Sequence, residues 1–207
     1  MTARRLRLGL ALSALLLLSA CATRPPVPAG DARAVDRETR LNRWAEHRQA
    51  LDAWAQFQLE GRVAASGQAL SARLRWVQRA DRQFDLWLSG PIGIGAVRLS
   101  GTPDRVEIRA RRETWTSTEP EADLTALLGW SPPLTALPYW ARGLPEPGVA
   151  VRFHLDAAGR ITQLEQAGWT MTVVGYGDTT PALPTRIEWQ RDAQTVTLIS
   201  DRWQRTP

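Results

Sequence analysis

Cysteine and histidine are scarce in this chain of 207 residues, which has one cysteine and two histidines. A single thiol excludes a disulfide within the chain. No cysteine or carboxylate stands at metal-ligand spacing beside His47 or His154, so neither histidine indicates a metal site. The chain also lacks a Gly-x-Ser-x-Gly nucleophile elbow and a phosphate-binding loop. These absences argue against an enzyme and predict a protein without cofactors, although the many scattered carboxylates leave a glycosidase pair open.

A strong charge of one sign is also lacking once the amino terminus is set aside. The chain has 26 basic residues, all arginine, and 21 acidic ones. Three of the arginines precede residue 21 and all the acids follow it, so the remainder has a formal charge of +2. That charge is too small to indicate nucleic acid as a partner.

The amino terminus has the pattern of a secretory signal. Arg4, Arg5 and Arg7 precede an apolar run from Leu8 to Leu18, which is shorter than the ~20 residues of a spanning helix. The run ends in Leu18-Ser19-Ala20-Cys21, which resembles the lipobox of bacterial lipoproteins. We therefore expect a signal peptide over 1–20 and a lipid anchor on Cys21. The alternative is an ordinary signal peptide that ends beside a cysteine by chance.

The segment that follows the cysteine predicts a tether. Residue 22 is Ala rather than the Asp that typically retains lipoproteins at the inner membrane, so sorting to the outer membrane is expected. Residues 21–35 are rich in Pro, Ala and Arg and predict an extended linker. A single domain is expected over 36–207.

The rest of the chain changes from a helical period to a period of two. A helix is predicted from Asp36 to Trp54, followed by about nine to eleven short strands with one apolar and one polar face. A helical insert is predicted between Thr118 and Gly148. Thr118 would cap its first helix, with Pro120 near the first turn and Gly129 at the end, and a short second helix is expected near Leu134 to Arg142. The pattern is typical of a mainly β (α+β) protein with an antiparallel sandwich or barrel.

One connection between strands is unusually apolar. Gly90-Pro91-Ile92-Gly93-Ile94-Gly95 joins two predicted strands, and its glycines are ordinary for a turn. Turn tips normally carry polar side chains, so Ile92 or Ile94 would suit insertion into lipid or into a partner's pocket. A plain hairpin turn is the alternative interpretation.

Motifs spread over most of the chain resemble the LolB family of outer-membrane lipoproteins, which receive other lipoproteins and insert them into that membrane. The match depends on the order and spacing of the motifs. They are the lipobox, Trp44-x-x-His47, Gly61-Arg62-Val63-Ala64, Arg75-Trp76-Val77-Gln78, Gly90-Pro91-Ile92-Gly93, Leu137-Pro138-Tyr139-Trp140, Gly143-Leu144-Pro145, Asp156-x-x-Gly159-Arg160, Gly168-Trp169, Leu183-Pro184 and Trp203.

The resemblance implies an unclosed antiparallel β half-barrel with an N-terminal helix, a helical lid and an apolar interior for acyl chains. It implies the periplasmic carrier LolA, acylated lipoprotein cargo and outer-membrane lipid as partners, and a monomer is expected. In the family an exposed aliphatic loop residue delivers cargo to the membrane; Ile92 matches it, with Pro91 and Ile94 beside it. The side chains expected to line the acyl cavity are Phe57, Leu59, Leu74, Trp76, Phe84, Leu86, Ile108, Phe153, Met171 and Trp189.

Three other classes of protein are alternatives to a lipoprotein receptor of the LolB type. A soluble lipid carrier of the same fold should lack a cysteine at the signal cleavage point. A structural or envelope-assembly lipoprotein would use its β surface for protein contacts and would bind no acyl chain. An envelope hydrolase requires a catalytic constellation, and the sequence offers none.

Overall fold

The computed structural model describes residues 29–66, 70–90, 96–128 and 133–206. By its internal contacts the chain divides into two units, Met1–Asp36 and Arg37–Pro207. The elements are α1 (Ala29–Asp52), β1 (Phe57–Ala65), β2 (Leu70–Gln78), β3 (Phe84–Ser89), β4 (Val97–Thr102), β5 (Arg105–Ala110), β6 (Glu113–Ser117), α2 (Pro120–Leu128), α3 (Leu137–Trp140), β7 (Val151–Leu155), β8 (Ile161–Gln166), β9 (Trp169–Tyr176), β10 (Pro184–Arg191) and β11 (Gln194–Arg205).

The strands form one antiparallel sheet in the order β6-β5-β4-β3-β2-β1-β11-β10-β9-β8-β7. Nearly all neighbours are consecutive in the chain, and the β1–β11 pair joins the two halves of the sheet. Strands β6 and β7 stand at opposite ends of this order, so the sheet is unclosed within the described residues. The predicted fold class, an unclosed antiparallel half-barrel with helices, is confirmed.

Alternation of side chains gives the sheet an inner and an outer face. On β1, Phe57, Leu59 and Val63 are buried while Arg62 is exposed. The buried strand residues join Trp44 and Leu51 of α1, Leu124 of α2 and Trp140 of α3 in one apolar cluster. Burying one such aliphatic or aromatic side chain contributes about 1.5–3 kcal/mol, so the fold is held mainly by helices packed on the inner face.

A close approach and a bulge shape the centre of the sheet. The register of β1 against β11 shifts between Glu60 and Gly61, and a bulge of this kind bends the strand. A Cβ at Gly61 would clash with the carbonyl oxygen of Ile199. Glycine is required here because the two backbones come too close for a side chain.

The helices differ in extent from the sequence prediction. Helix α1 begins at Ala29, inside the segment predicted to be extended, because residues 29–35 contain three alanines and no proline. Helix α2 begins at Pro120, two residues after the predicted cap Thr118, and ends at Leu128, just before the predicted end. Helix α3 is confined to Leu137–Trp140. The amides of Ala136 and Leu137 both donate to the carbonyl oxygen of Pro133, so the residues just before the helix form a turn.

Candidate functional site

A cavity of about 810 Å³ lies at one end of the sheet. Its walls come from the end of α1, the β2–β3 hairpin and the segment around α3. The residues that line it are Asp52, Ala55, Gln56, Trp76, Gln78, Arg79, Ala80, Asp81, Arg82, Phe84, Leu86, Pro103, Leu134, Thr135, Leu137, Pro138, Tyr139, Arg142, Glu146 and Pro147.

The ten side chains predicted to line an acyl cavity all lie in or against the apolar cluster of the inner face. Nine are buried, and Phe153 is half-buried. Three of them, Trp76, Phe84 and Leu86, line the cavity. The other seven pack in the interior beside it: Phe57, Leu59, Leu74, Ile108, Phe153, Met171 and Trp189.

Cavity residues from the helical segment were not among the predicted site residues. Leu134, Leu137 and Tyr139 face the β2–β3 hairpin across the cavity. Leu137 and Tyr139 belong to the Leu137-Pro138-Tyr139-Trp140 motif, whose high apolar content was the signal available in the sequence. Gln78 was also missed; it continues the inward series of Leu74 and Trp76 on β2 and is the polar member of that series.

Arg142 connects two walls of the cavity. Its side chain is 4% exposed, its Nη1 donates to the carbonyl oxygen of Leu51 at 3.2 Å, and its Nε donates to the carbonyl oxygen of Pro138 at 2.9 Å. The guanidinium also lies 5.4 Å from the ring centroid of Tyr139. Burial lowers the pKa of Arg142. These bonds tie the end of α1 to α3.

An ion-pair network supports the hairpin wall. Asp85 accepts hydrogen bonds from Arg79 at 2.5 Å and from Arg98 at 2.9 Å. Burial raises the pKa of Asp85, but these two arginines outweigh it and hold the pKa below its usual value. Arg79 lines the cavity and Arg98 lies on β4, so the network links the rim of the cavity to the outer face.

Two motifs of the sequence come together where α1 docks on the β7–β8 turn. Trp44 of α1 contacts Phe153, with ring centroids 5.5 Å apart, and the turn that contains Gly159 packs against the backbone of Trp44. His47, one turn further along α1, meets the ring of Tyr176 edge-on at 6.3 Å. This contact places the long helix across the second half of the sheet.

The turn itself is held by Asp156. Its Oδ1 accepts the backbone amides of Ala158 and Arg160, each at 2.9 Å, and its Oδ2 pairs with the Arg160 guanidinium at 2.7 Å. Burial raises the pKa of Asp156, but the bonds from Arg160 keep it below its usual value. Arg160 also lies 4.7 Å from the ring centroid of Tyr176, which connects the turn to the helix contact.

The predicted lipid anchor, Cys21, and the predicted insertion loop with Pro91, Ile92 and Ile94 lie outside the described residues. The strands that this loop joins, β3 and β4, are described and pair antiparallel. Phe84 lines the cavity and Ser89 ends β3. Leu86 is the cavity residue of β3 nearest to Ser89, so β3 ends about 10 Å along the strand from the cavity, at ~3.3 Å per residue.

Metal-binding clusters and membrane-spanning helices are both absent from the part of the chain that the structure describes. No group of three or more His, Cys, Asp or Glu residues there is arranged to hold a metal ion. None of the helices described is both long and apolar enough to cross a membrane.

Comparison with known proteins identifies the family. Residues 55–203 match the family model described as outer membrane lipoprotein LolB. A protein of Nitrosococcus oceani named outer-membrane lipoprotein LolB is 37% identical over 204 residues, which cover 96% of this chain and 97% of that protein. The protein of the same name from Pseudomonas aeruginosa strain PAO1 is 38% identical, and the match covers 97% of each chain.

Similar solved structures have low sequence identity. A LolA superfamily protein from Nitrosomonas europaea superimposes with a TM-score of 0.48 at 9% identity, covering 82% of this chain and 93% of that one. The "putative outer membrane lipoprotein-sorting protein domain" from Vibrio parahaemolyticus gives a TM-score of 0.46 at 7% identity. The match again covers 82% of this chain and 93% of that one.

The chain is an outer-membrane lipoprotein with an unclosed antiparallel sheet and an inner cavity. It belongs to the LolB family. The family predicted from the sequence motifs is confirmed, and with it the predicted location at the periplasmic face of the outer membrane and the class of function, a lipoprotein receptor of that membrane.

Proposed function

We propose that the cavity between the β2–β3 hairpin and α3 holds acyl chains of lipoproteins that the carrier LolA delivers, and that this protein passes them to the outer membrane. The observation that carries the proposal is a cavity of about 810 Å³ whose wall includes inner-face side chains of the sheet. Its volume falls within the ~300–1,000 Å³ of ligand sites.

The energetics favour a site of this kind. Each methylene of an acyl chain exposed to water costs about 0.8 kcal/mol, so a lipoprotein does not cross an aqueous compartment unprotected. Apolar burial has no directional requirement. Transfer from carrier to receptor therefore requires only that the receptor offers a somewhat better apolar site. Transfer from receptor to bilayer requires the same of the bilayer, so both steps run downhill without catalysis or a cofactor.

Other parts of the chain have proposed roles in this scheme. Cys21 carries the lipid anchor after removal of residues 1–20, and residues 21–35 lead from the anchor to the domain of residues 36–207. The Pro91, Ile92 and Ile94 loop enters the bilayer when cargo is released. The seven interior side chains beside the cavity form the surface into which it can extend, and the protein acts as a monomer.

Filling the cavity tests the binding step. Thr135 lies half-buried on the cavity wall, so Thr135→Trp should occupy space in the cavity without disturbing the inner-face cluster. We expect it to reduce transfer of a fluorescent lipoprotein from loaded LolA by at least about tenfold, since roughly two or more methylenes would lose their place. Thr116→Trp adds the same bulk at an exposed position of β6 and should leave transfer unchanged. Equal transfer by both variants would contradict the proposed cavity.

Delivery to the membrane is tested separately. Ile92→Glu should still accept cargo from LolA but should fail to incorporate it into liposomes, because a charged side chain is costly in the bilayer. Ala193→Glu adds the same charge in the exposed β10–β11 turn, at the same end of the sheet, and should deliver normally. Retained delivery by Ile92→Glu would remove the loop from the mechanism, and a receptor that takes no cargo would favour a structural lipoprotein instead.

A further inference from the structure

Two polar side chains of β2 line the cavity with one atom each lacking a partner. Trp76 and Gln78 occupy successive inward positions, and each is 4% exposed. Within the described residues, Trp76 Nε1 and Gln78 Oε1 are buried and have no hydrogen-bond partner. One atom is a donor and the other an acceptor.

The other half of the Gln78 amide fixes its orientation. Its Nε2 donates to the carbonyl oxygens of Arg79 at 3.3 Å and Gln83 at 3.1 Å. An amide oxygen cannot take that place, because both partners are acceptors. The Oε1 is therefore directed away from the β2–β3 turn.

The Trp76 ring is fixed as well. It meets Phe57 edge-on with ring centroids 5.1 Å apart, and its backbone pairs with Leu59 and Leu86 on the adjacent strands. A small movement therefore cannot bring either polar group from the inner face to bulk water. Native proteins rarely keep buried polar atoms without partners, and here two lie at consecutive positions along one wall.

We infer that Trp76 and Gln78 form a polar subsite that binds the amide or ester linkage at the head of an acyl chain. The indole N–H donates to a carbonyl oxygen of that linkage, and Gln78 Oε1 accepts the N–H of an N-acylated amino terminus. This inference rests on the proposed function, because it names the part of the cargo that the cavity recognises beyond its hydrocarbon.

The unliganded state favours such bonds. Both atoms are buried without a protein partner, so a ligand that reaches them replaces no hydrogen bond that the protein already makes. Access requires a movement of neighbouring side chains in the wall, for which the open cavity leaves room. A bare hydrocarbon offers neither a carbonyl nor an amide, so the subsite distinguishes acylated polypeptide from other apolar molecules.

The deciding experiment measures how the parent protein and one conservative variant bind two different probes. The probes are a triacylated lipopeptide (S-diacylglyceryl cysteine with an N-terminal palmitoyl amide) and an apolar dye without carbonyl or amide groups. The protein is the full mature chain carrying Cys21→Ala, which stays in solution. Trp76→Phe keeps an aromatic ring in place and removes the unpaired donor together with part of the indole surface, and the dye reports the lost apolar contact. We expect the lipopeptide to lose about 3- to 10-fold more affinity than the dye.

Two matched comparisons complete the test. Trp87→Phe removes an indole from the outer face, 5.2 Å from Arg75, and should bind both probes as the parent does. Gln78→Leu should weaken binding of the N-palmitoylated peptide more than binding of the same peptide with that amide nitrogen methylated, which has no N–H to donate.

The outcomes separate the two proposals. If the parent protein binds the dye but not the lipopeptide, the proposed function fails. If the parent binds the lipopeptide and Trp76→Phe binds it equally well, or loses dye and lipopeptide in the same proportion, the polar subsite is overturned while the proposed function stands.

Discussion

Gly159 is the contact point between the β7–β8 turn and α1, and its replacement by alanine tests that docking. Its φ is +76°, and a Cβ there would lie 2.5 Å from the backbone nitrogen of Trp44 and 2.6 Å from the carbonyl carbon of Arg43. Backbone atoms cannot rotate aside, so the turn and the helix must separate. The left-handed conformation costs a non-glycine residue about 1–2 kcal/mol and overpacking about 1–3 kcal/mol. We expect Gly159→Ala to lower the free energy of unfolding by about 2–5 kcal/mol.

Gly168 provides the matched control. Its φ is +77°, and no atom of the described structure beyond its chain neighbours lies within 4 Å of a Cβ built there. Gly168→Ala should therefore cost only the conformational part, about 1–2 kcal/mol. Urea denaturation of both variants measures the difference in the free energy of unfolding, provided that the slope of that free energy against urea concentration is unchanged. Equal losses of stability would refute the conclusion that the turn bears directly on the helix backbone.

Two other side chains give predictions of their own. Arg142→Met removes the side-chain donor to the carbonyl oxygen of Pro138, while the carbonyl oxygen of Leu51 keeps the amide of Trp54. We expect a loss of about 1–3 kcal/mol in the free energy of unfolding, measured by the same denaturation; an unchanged midpoint would contradict the role of Arg142 in joining α1 to α3. Burial, and then the charge of Arg160, lowers the pKa of His47 from 6.5. The unfolded chain then binds the proton first, so stability should fall as the pH drops below about 6.5 and level off below the folded pKa. His47→Gln should flatten that part of a pH-denaturation profile, and an identical profile would contradict it.

Strand alternation was sufficient to predict the inner face of the sheet. Leu59, Leu74 and Ile108 alternate with polar residues and were predicted to line an acyl cavity; all three are buried in the apolar cluster. Alternation has a period of two along one strand, so it assigns a face without tertiary information. It cannot say which part of that face a helix covers. Whether an inward residue joins the core or the cavity depends on where α1 and α3 lie, and contacts between distant segments decide that.

Local patterns were also insufficient for the start of α1 and for the cavity wall. The alanines of residues 29–35 favour a helix, but the prolines just before them suggested an extended tether. Tyr139 and Arg142 follow Pro138 in a segment with too few residues for a clear helical period. Their function comes from bonds to α1, about 90 residues earlier, and no spacing rule describes such a bond.

The polar contacts around the cavity explain how part of the inner face can stay unfilled in this fold. Protein interiors pack to high density, and apolar walls that are free to move close a void between them. Most of the inner face follows that rule, with helices packed directly on the strands. At the cavity, however, α3 is held by directional hydrogen bonds from Arg142 to fixed carbonyls, and the opposite wall by Arg79 and Asp85. Moving α3 toward the hairpin would break the hydrogen bond from the buried Arg142 to Leu51, at a cost of about 1–3 kcal/mol. This bond opposes closure of the cavity, so acyl chains can enter it with only a local movement of the side chains in its wall.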